Sequence, residues 1–393
     1  MGAIVFLGNA MMDREHERIL CATVAALSSG SPDDKTLRRR LSALNDLEGL
    51  VYRSVREGMA GLLYLYMRRA GIISLLNDTL SRRLAQTYYH AVQSQLRLEA
   101  ELAKVLNILA ARDLAVVLLQ GISLQNDVYP NPGQRPMYDI DMWVMPNQFL
   151  RCQQLLFNHG YLPDRLYPHT FRKGPVVFDI HTHLLWADRI EARQHLLAVD
   201  QEKIFREVEH FQVAGQPARR LNTYDQVLYL GLHALKHNLE RLIWLVDIQL
   251  IVSDMVTADW RNLFARAQVL GQSRTLAQIL YLLGDLLEMP LPTIAIDFLQ
   301  KQRLSTIEKW VLRRRKQAGR LPGWSTLILF SAGMERGRWD LVWETFFPRP
   351  EIIRQGFPDA TDCSLGRLYT RRFLQLLKSA VGRAPMAPAT GHS

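Results

Sequence analysis

Only one stretch of this chain, about residues 113 to 221, interrupts a helical pattern that runs nearly everywhere else. A helix repeats every 3.6 residues and a strand every two, so the switch confines any sheet to the middle of the chain. Before it, Arg14 to Leu27 and the run DLEGLVYRSVREGMAGLLYLYMRRAG place apolar residues at three- and four-residue steps. From Leu76 to Ala111 there is no proline or glycine, and the same spacing predicts one or two helices with a continuous buried stripe.

The middle region reads differently. Ala115 to Leu119 is a short apolar run ending near Gly121, as expected of a buried strand, with a helix following through Tyr129. The turn-rich Pro130-Asn131-Pro132-Gly133 leads into Asp139-Ile140-Asp141-Met142-Trp143-Val144, which alternates as a half-buried strand does. A helix over Asn147 to His159 should stop at Gly160. Hairpins are expected over 167–183, turning at Lys173-Gly174, and over 211–221, turning near Gly215. Helices return from Thr223. The expected fold is therefore α+β: a small mixed or antiparallel sheet flanked by helices, embedded in a mainly helical chain. Its expected segments are a helical region (1–112), a sheet-bearing core (113–221), a helical region packed on that core (222–290) and a basic helical region (291–383). Pro290-Leu291-Pro292 is the boundary, and 384–393, rich in Pro, Ala and Gly, is expected to be disordered.

Composition matters mainly through what it excludes. No apolar run reaches the roughly 18 residues that span a bilayer, and the apolar opening lacks a basic leader. Cys21, Cys152 and Cys363 are far apart without a CxxC pair, which argues against a disulfide framework and for a cytoplasmic protein. The net charge is +10, with basic runs at Arg38-Arg39-Arg40, Arg82-Arg83, Arg313-Arg314-Arg315-Lys316 and Arg371-Arg372. Such a surface attracts polyanions, whether nucleic acid, nucleotide or acidic membrane. Short runs of this kind are most simply solvated helix faces.

Chemistry concentrates in two strands. Alternation puts Asp139 and Asp141 on one face, with Cα atoms roughly 6.5 to 7 Å apart, while Ile140, Met142 and Val144 face the core. Two like charges on one face call for a cation or hydrogen-bond donors, and a metal pair about 3.5 to 4 Å apart suits that spacing. In VVFDIHTHLL, Asp179, His181 and His183 also share a face. If that strand lies beside the first, Asp179 supplies the third carboxylate that phosphoryl transfer uses to take up a proton or complete a metal site. On the anion side, Gly121 at a strand end, Ser123 and the loop residue Arg135 are candidates. His233 and His237, four apart on one helix face, with Arg241 and Asp247 following, read as structural hydrogen bonding more readily than as ligands.

Three blocks in order carry a resemblance: LLQGISLQNDVYPNPGQRPMYDIDMWV, FDIHTHLL and LHALKHNLERLIWLVDIQLIV. Together they resemble the uncharacterised nucleotidyltransferase family of bacterial gene clusters, within the DNA polymerase beta-type superfamily, over about Leu47 to Leu287. The resemblance implies a catalytic core over 113–221, metal carboxylates at Asp139, Asp141 and Asp179, and phosphate contacts near Gly121 and Arg135. It also implies Mg²⁺ or Mn²⁺ and a nucleoside triphosphate such as ATP. His181, His233, His237 and Arg241 would be supporting residues. The acceptor would be a small molecule, peptide or protein, with nucleic acid ranked lower. Gln120 stands where the family carries lysine before the glycine, and the interval from glycine to DID is longer than in the simplest superfamily members. Two other readings compete: a Zn²⁺ or Mn²⁺ hydrolase using Asp179, His181, His183, His233 and His237, and a non-catalytic module of the same fold that binds a nucleotide or partner.

Overall fold

A computed structural model describes residues 2–29, 34–125, 127–187, 189–357, 360 and 363–380; the expectation for 384–393 lies outside the described residues. The N-terminal third is helical: α1 (Gly2–Ser29), α2 (Asp34–Ala43), α3 (Leu47–Arg56), α4 (Ala60–Arg69) and α5 (Asp78–Ala110). The proline-free stretch thus forms one helix, opened by Asn77, whose side chain accepts from the Leu80 N–H. At roughly 1.5 Å per residue α5 is long enough to serve two cores. Leu80 and Leu84 join the helical body, whereas Leu98, Leu102, Val105, Leu106 and Leu109 pack under the sheet.

The strands follow. They are β1 (Val117–Leu119), β2 (Ile140–Trp143), β3 (Leu162–Pro163), β4 (Thr170–Lys173), β5 (Val176–His181), β6 (Glu209–Val213) and β7 (Gln216–Arg220). Between them lie α6 (Gln120–Ser123), α7 (Phe149–Asn158) and α8 (Gln201–Arg206). All seven form one mixed sheet in the order β3-β4-β5-β2-β1-β7-β6. β1 is fully buried between β2 and β7, which explains its unbroken apolar run. Gly174, at φ +58°, opens the two-residue turn between β4 and β5. Ala214 and Gly215, both at positive φ, make the β6–β7 turn. The two-residue β3 was not expected; an edge position tolerates its Pro163.

One expectation fails outright. The helix expected to run through Tyr129 ends at Ser123. Pro130 disfavours helical backbone at the residue before it, and Tyr129 is drawn inward, donating to the Asp247 carboxylate at 2.6 Å.

The helical body resumes with α9 (Thr223–Lys236), α10 (Ile243–Ser253), α11 (Thr257–Val269) and α12 (Ser273–Asp285). It ends with α13 (Thr293–Gln302), α14 (Thr306–Ala318), α15 (Ser325–Gly333), α16 (Arg338–Phe346), α17 (Pro350–Gln355) and α18 (Leu365–Ala380). α9 is buried continuously from Asp225 to Leu235, making it the central helix of the body. The Pro290-Leu291-Pro292 break falls between α12 and α13, and one apolar cluster continues across it. The same cluster takes in α1, α3 and α4, so the first and last helical segments share a core. Arg315 departs from the solvated-face expectation for its basic run. It is wholly buried, donating to Glu17, Glu57 and the Leu239 carbonyl, and so ties α14 to α1 and α3. No helix among the described residues is long and apolar enough to cross a membrane.

Candidate active site

β2 and β5 are parallel neighbours, with Asp141 opposite Asp179 and Trp143 opposite His181. Side chains at paired positions of adjacent strands share a face, so the register alone brings the second and third carboxylates together. The intervening Ile140, Met142, Phe178 and Ile180 point the other way, into the apolar cluster with α5 and α7. One ligand atom from each of Asp141, Asp179 and His181 lies within 4.8 Å of the other two. His181 Nε2 is 2.7 Å from Asp141 Oδ1 and 3.8 Å from Asp179 Oδ2. Asp179 accepts a hydrogen bond from Thr170 Oγ1 at 3.0 Å and keeps 38% of its side chain exposed. Asp141 is buried.

Asp139 stands just before β2, outside that compact set, with its side chain open to solvent. Protein nevertheless crowds round it. Desolvation by its surroundings, then the charges of Asp141 and Asp179, push its pKa up to about 7. Burial alone would lower the His181 pKa; the hydrogen bond to Asp141 and the charges of Asp179 and Asp141 outweigh it and raise the pKa. The group is thus an anionic cluster with one imidazole as internal counter-charge.

Residues on the anion side are placed less simply. Gly121 is buried against Arg135, and a Cβ there would meet Arg135 Nη1 at 2.4 Å, so the close approach requires glycine. Ser123 is buried, its hydroxyl donating to the Gln120 carbonyl and accepting from Gln226. Arg135 Nε and Nη2 make a forked ion pair with the fully buried Asp247, at 2.8 Å each to the nearer oxygen. Burial would weaken that guanidinium's charge; Asp247 more than restores it. Both groups therefore have internal work, and only the Nη1 side of Arg135 faces Gly121.

A family model described as "Uncharacterised nucleotidyltransferase" matches residues 44–288. The chain belongs to that family. No curated protein and no solved structure matches it.

The candidate histidines do not gather at one place. His181 joins the carboxylates. His233 and His237 instead pack on each other and on Trp244, with ring centroids 4.5 to 5.3 Å apart, and His183 Nδ1 accepts from the Leu185 N–H in the turn after β5. The five ligands that a hydrolase site would need do not converge. Desolvation lowers the pKa of both His233 and His237, and they are best described as neutral packing groups. Arg241 stacks over the exposed ring of Tyr138, beside Asp139.

Two residues near the carboxylates adopt a backbone conformation that the sequence does not show, and the first of them, Trp186, escaped the sequence reading altogether. Trp186 is buried in a left-handed backbone conformation at φ +57°, its ring against His181, Tyr229 and His233. Gln120, at φ +52°, is likewise left-handed and donates to the Tyr229 hydroxyl at 3.2 Å. Non-glycine residues held there cost about 1 to 3 kcal/mol each and cluster at functional sites. Lys236, the last residue of α9, sets its Nζ 3.3 Å from the Trp186 ring centroid. Burial, then Arg193 and Arg189, lower its pKa well below the usual lysine range, while Asp179 and Asp141 pull the other way. The lysine was visible within LHALKH, but nothing local shows that its helix ends at the carboxylates.

Proposed function

We propose that this protein transfers a nucleoside monophosphate from a nucleoside triphosphate, ATP being the first to test, to a hydroxyl or amine acceptor, with release of pyrophosphate. The observation that carries this reading is the register of β2 and β5, which sets Asp141 opposite Asp179 with Asp139 at the strand entrance. Crowded carboxylates with one imidazole are a donor set that fits a hard divalent cation, Mg²⁺ or Mn²⁺. Asp139, Asp141 and Asp179 would hold it, with His181 in support. Bound there, the ion would neutralise charge on the phosphates and on the leaving pyrophosphate.

The chain's own groups have separable roles. Asp179, partly exposed and oriented by Thr170, takes the proton of the acceptor. The acceptor's oxygen or nitrogen then bonds to the α-phosphorus as the bond to the bridging oxygen breaks. Pyrophosphate leaves with that electron pair. Lys236, whose charged form burial and the nearby Arg193 and Arg189 disfavour in the free protein, would take up a proton as the triphosphate's negative charge arrives, and so supply positive charge that Gln120 does not. Trp186 and Tyr229 wall the site and limit water. Gly121 and the Nη1 side of Arg135 would meet a phosphate oxygen on the anion side. The dispersed histidines favour this reading over a hydrolase.

The test combines two measurements: affinity for each NTP across Mg²⁺ and Mn²⁺ titrations, and pyrophosphate release with a lysate-derived acceptor pool. Wild type should bind one NTP in a metal-dependent way, and Asp139→Asn and Asp141→Asn should weaken that binding tenfold or more. Indistinguishable metal and nucleotide binding by all three proteins would falsify the assignment. Binding by wild type with no pyrophosphate release against any acceptor would favour the non-catalytic module.

A further inference from the structure

Beyond residue 288, where the family match ends, the helical body carries a surface that nucleotidyl transfer does not explain. Trp339 and Trp343, one turn apart on α16, are 81% and 65% exposed. Phe347 continues the patch, its ring 4.5 Å from Trp343, and Phe346 reaches Phe373 of α18 at 6.3 Å. On a helix advancing about 100° per residue, Phe373, Leu374 and Leu377 form one stripe, and all three are nearly half exposed. The opposite side of α18 is anchored by Leu368, buried against Ile353 and Ala360.

Charge says what covers this stripe. The exposed Arg367 and Arg371 line its edge, Arg371 over the Phe357 ring. Residues 363–393 contain no aspartate or glutamate. On α16 the exposed Asp340 and the half-buried Glu344 border the aromatic stripe on its Phe347 side, and Glu344 is held by the Ala192 N–H, so the basic rim is that of α18. Tryptophan and phenylalanine with leucine on one side and arginine at the rim is the arrangement of a helix lying in a lipid interface. A base-stacking platform would have no use for the exposed leucines, whereas acyl chains would. We infer that the α16–α18 face docks on an anionic lipid surface, holding the enzyme peripherally at a membrane.

The experiment is cosedimentation of the full chain with vesicles of phosphatidylcholine alone or mixed with about one-third phosphatidylglycerol. Wild type should pellet with the anionic vesicles at low salt, be released at high salt and ignore the neutral ones. Arg367→Glu/Arg371→Glu should weaken binding by roughly tenfold or more. Because charge reversal could unsettle α18, quenching of wild-type tryptophan fluorescence by brominated anionic lipid provides an independent reading, expected through Trp339 and Trp343. Wild type that stays in the supernatant, equal binding to neutral vesicles, unquenched fluorescence, or a dimer that depends on Trp343 and Leu377 overturns the inference.

Discussion

The two faces of the central sheet are made from the same strands and do opposite things. On β2, Ile140 and Met142 face α5 and α7, while Asp141 and Trp143 face the helical body. On β5, Phe178 and Ile180 go one way, Asp179 and His181 the other. The first face is an ordinary close-packed core. The second holds several ionisable groups together with two residues in strained backbone. On the proposed function, alternation lets a few strands carry stability on one side and chemistry on the other, and substitutions should separate the two.

The largest expected effect is on the chemical face. Asp141→Asn should lower nucleotidyl-transfer turnover by roughly a thousandfold or more, since several kcal/mol of charge stabilisation disappear. Its melting temperature should change little, because relief of carboxylate repulsion on Asp139 offsets the lost charged bond to His181, so a large drop in stability would break the contrast. Phe178→Ala should do the reverse, destabilising by about 3 to 5 kcal/mol in denaturant while the folded fraction keeps its turnover. Asp247→Asn sharpens the comparison, because this carboxylate lies on the chemical side yet serves structure. It leaves Arg135 buried without its counter-charge, and about 3 kcal/mol of stability should go. Unchanged stability with weakened NTP binding would instead make Arg135 chiefly a ligand group. Lys236→Met should raise the KM for the triphosphate about tenfold, near 1.4 kcal/mol, with little change in stability; an unaltered KM removes Lys236 from the anion side.

The smallest effect concerns pH. His233 is buried and its folded-state pKa is depressed, so the unfolded chain binds the proton more readily. Stability should therefore be present above the unfolded histidine value, near about 6.5, and decline as pH falls through it. His233→Phe should flatten that decline, by at most about 1.4 kcal/mol per pH unit. An equally steep pH dependence in the variant would show that other groups cause it.

The sequence made the alternation legible, and with it which residues of β2 face the apolar core. It also made the hairpins legible, because Gly174 and Gly215 punctuate them. What it withheld were relations between distant segments. Arg135 and Asp247 are 112 positions apart, and no local pattern says that the loop arginine is already engaged. The sequence offers His181 as a supporting residue, but its 2.7 Å contact with Asp141 depends on strand register. The early end of α6 came from Tyr129 being pulled into the Arg135–Asp247 pair, a tertiary effect that outweighs helical spacing. Lys236 enters the site only because α9 ends beside Trp186.

The most direct test of a shared cation site is a crystal of the protein grown with Mn²⁺ and a non-hydrolysable triphosphate, measured at the manganese absorption edge. The anomalous peak should fall within bonding distance of the Asp141 and Asp179 carboxylates, with the phosphates alongside. Manganese found elsewhere, or triphosphate bound with those two side chains untouched, would contradict the account.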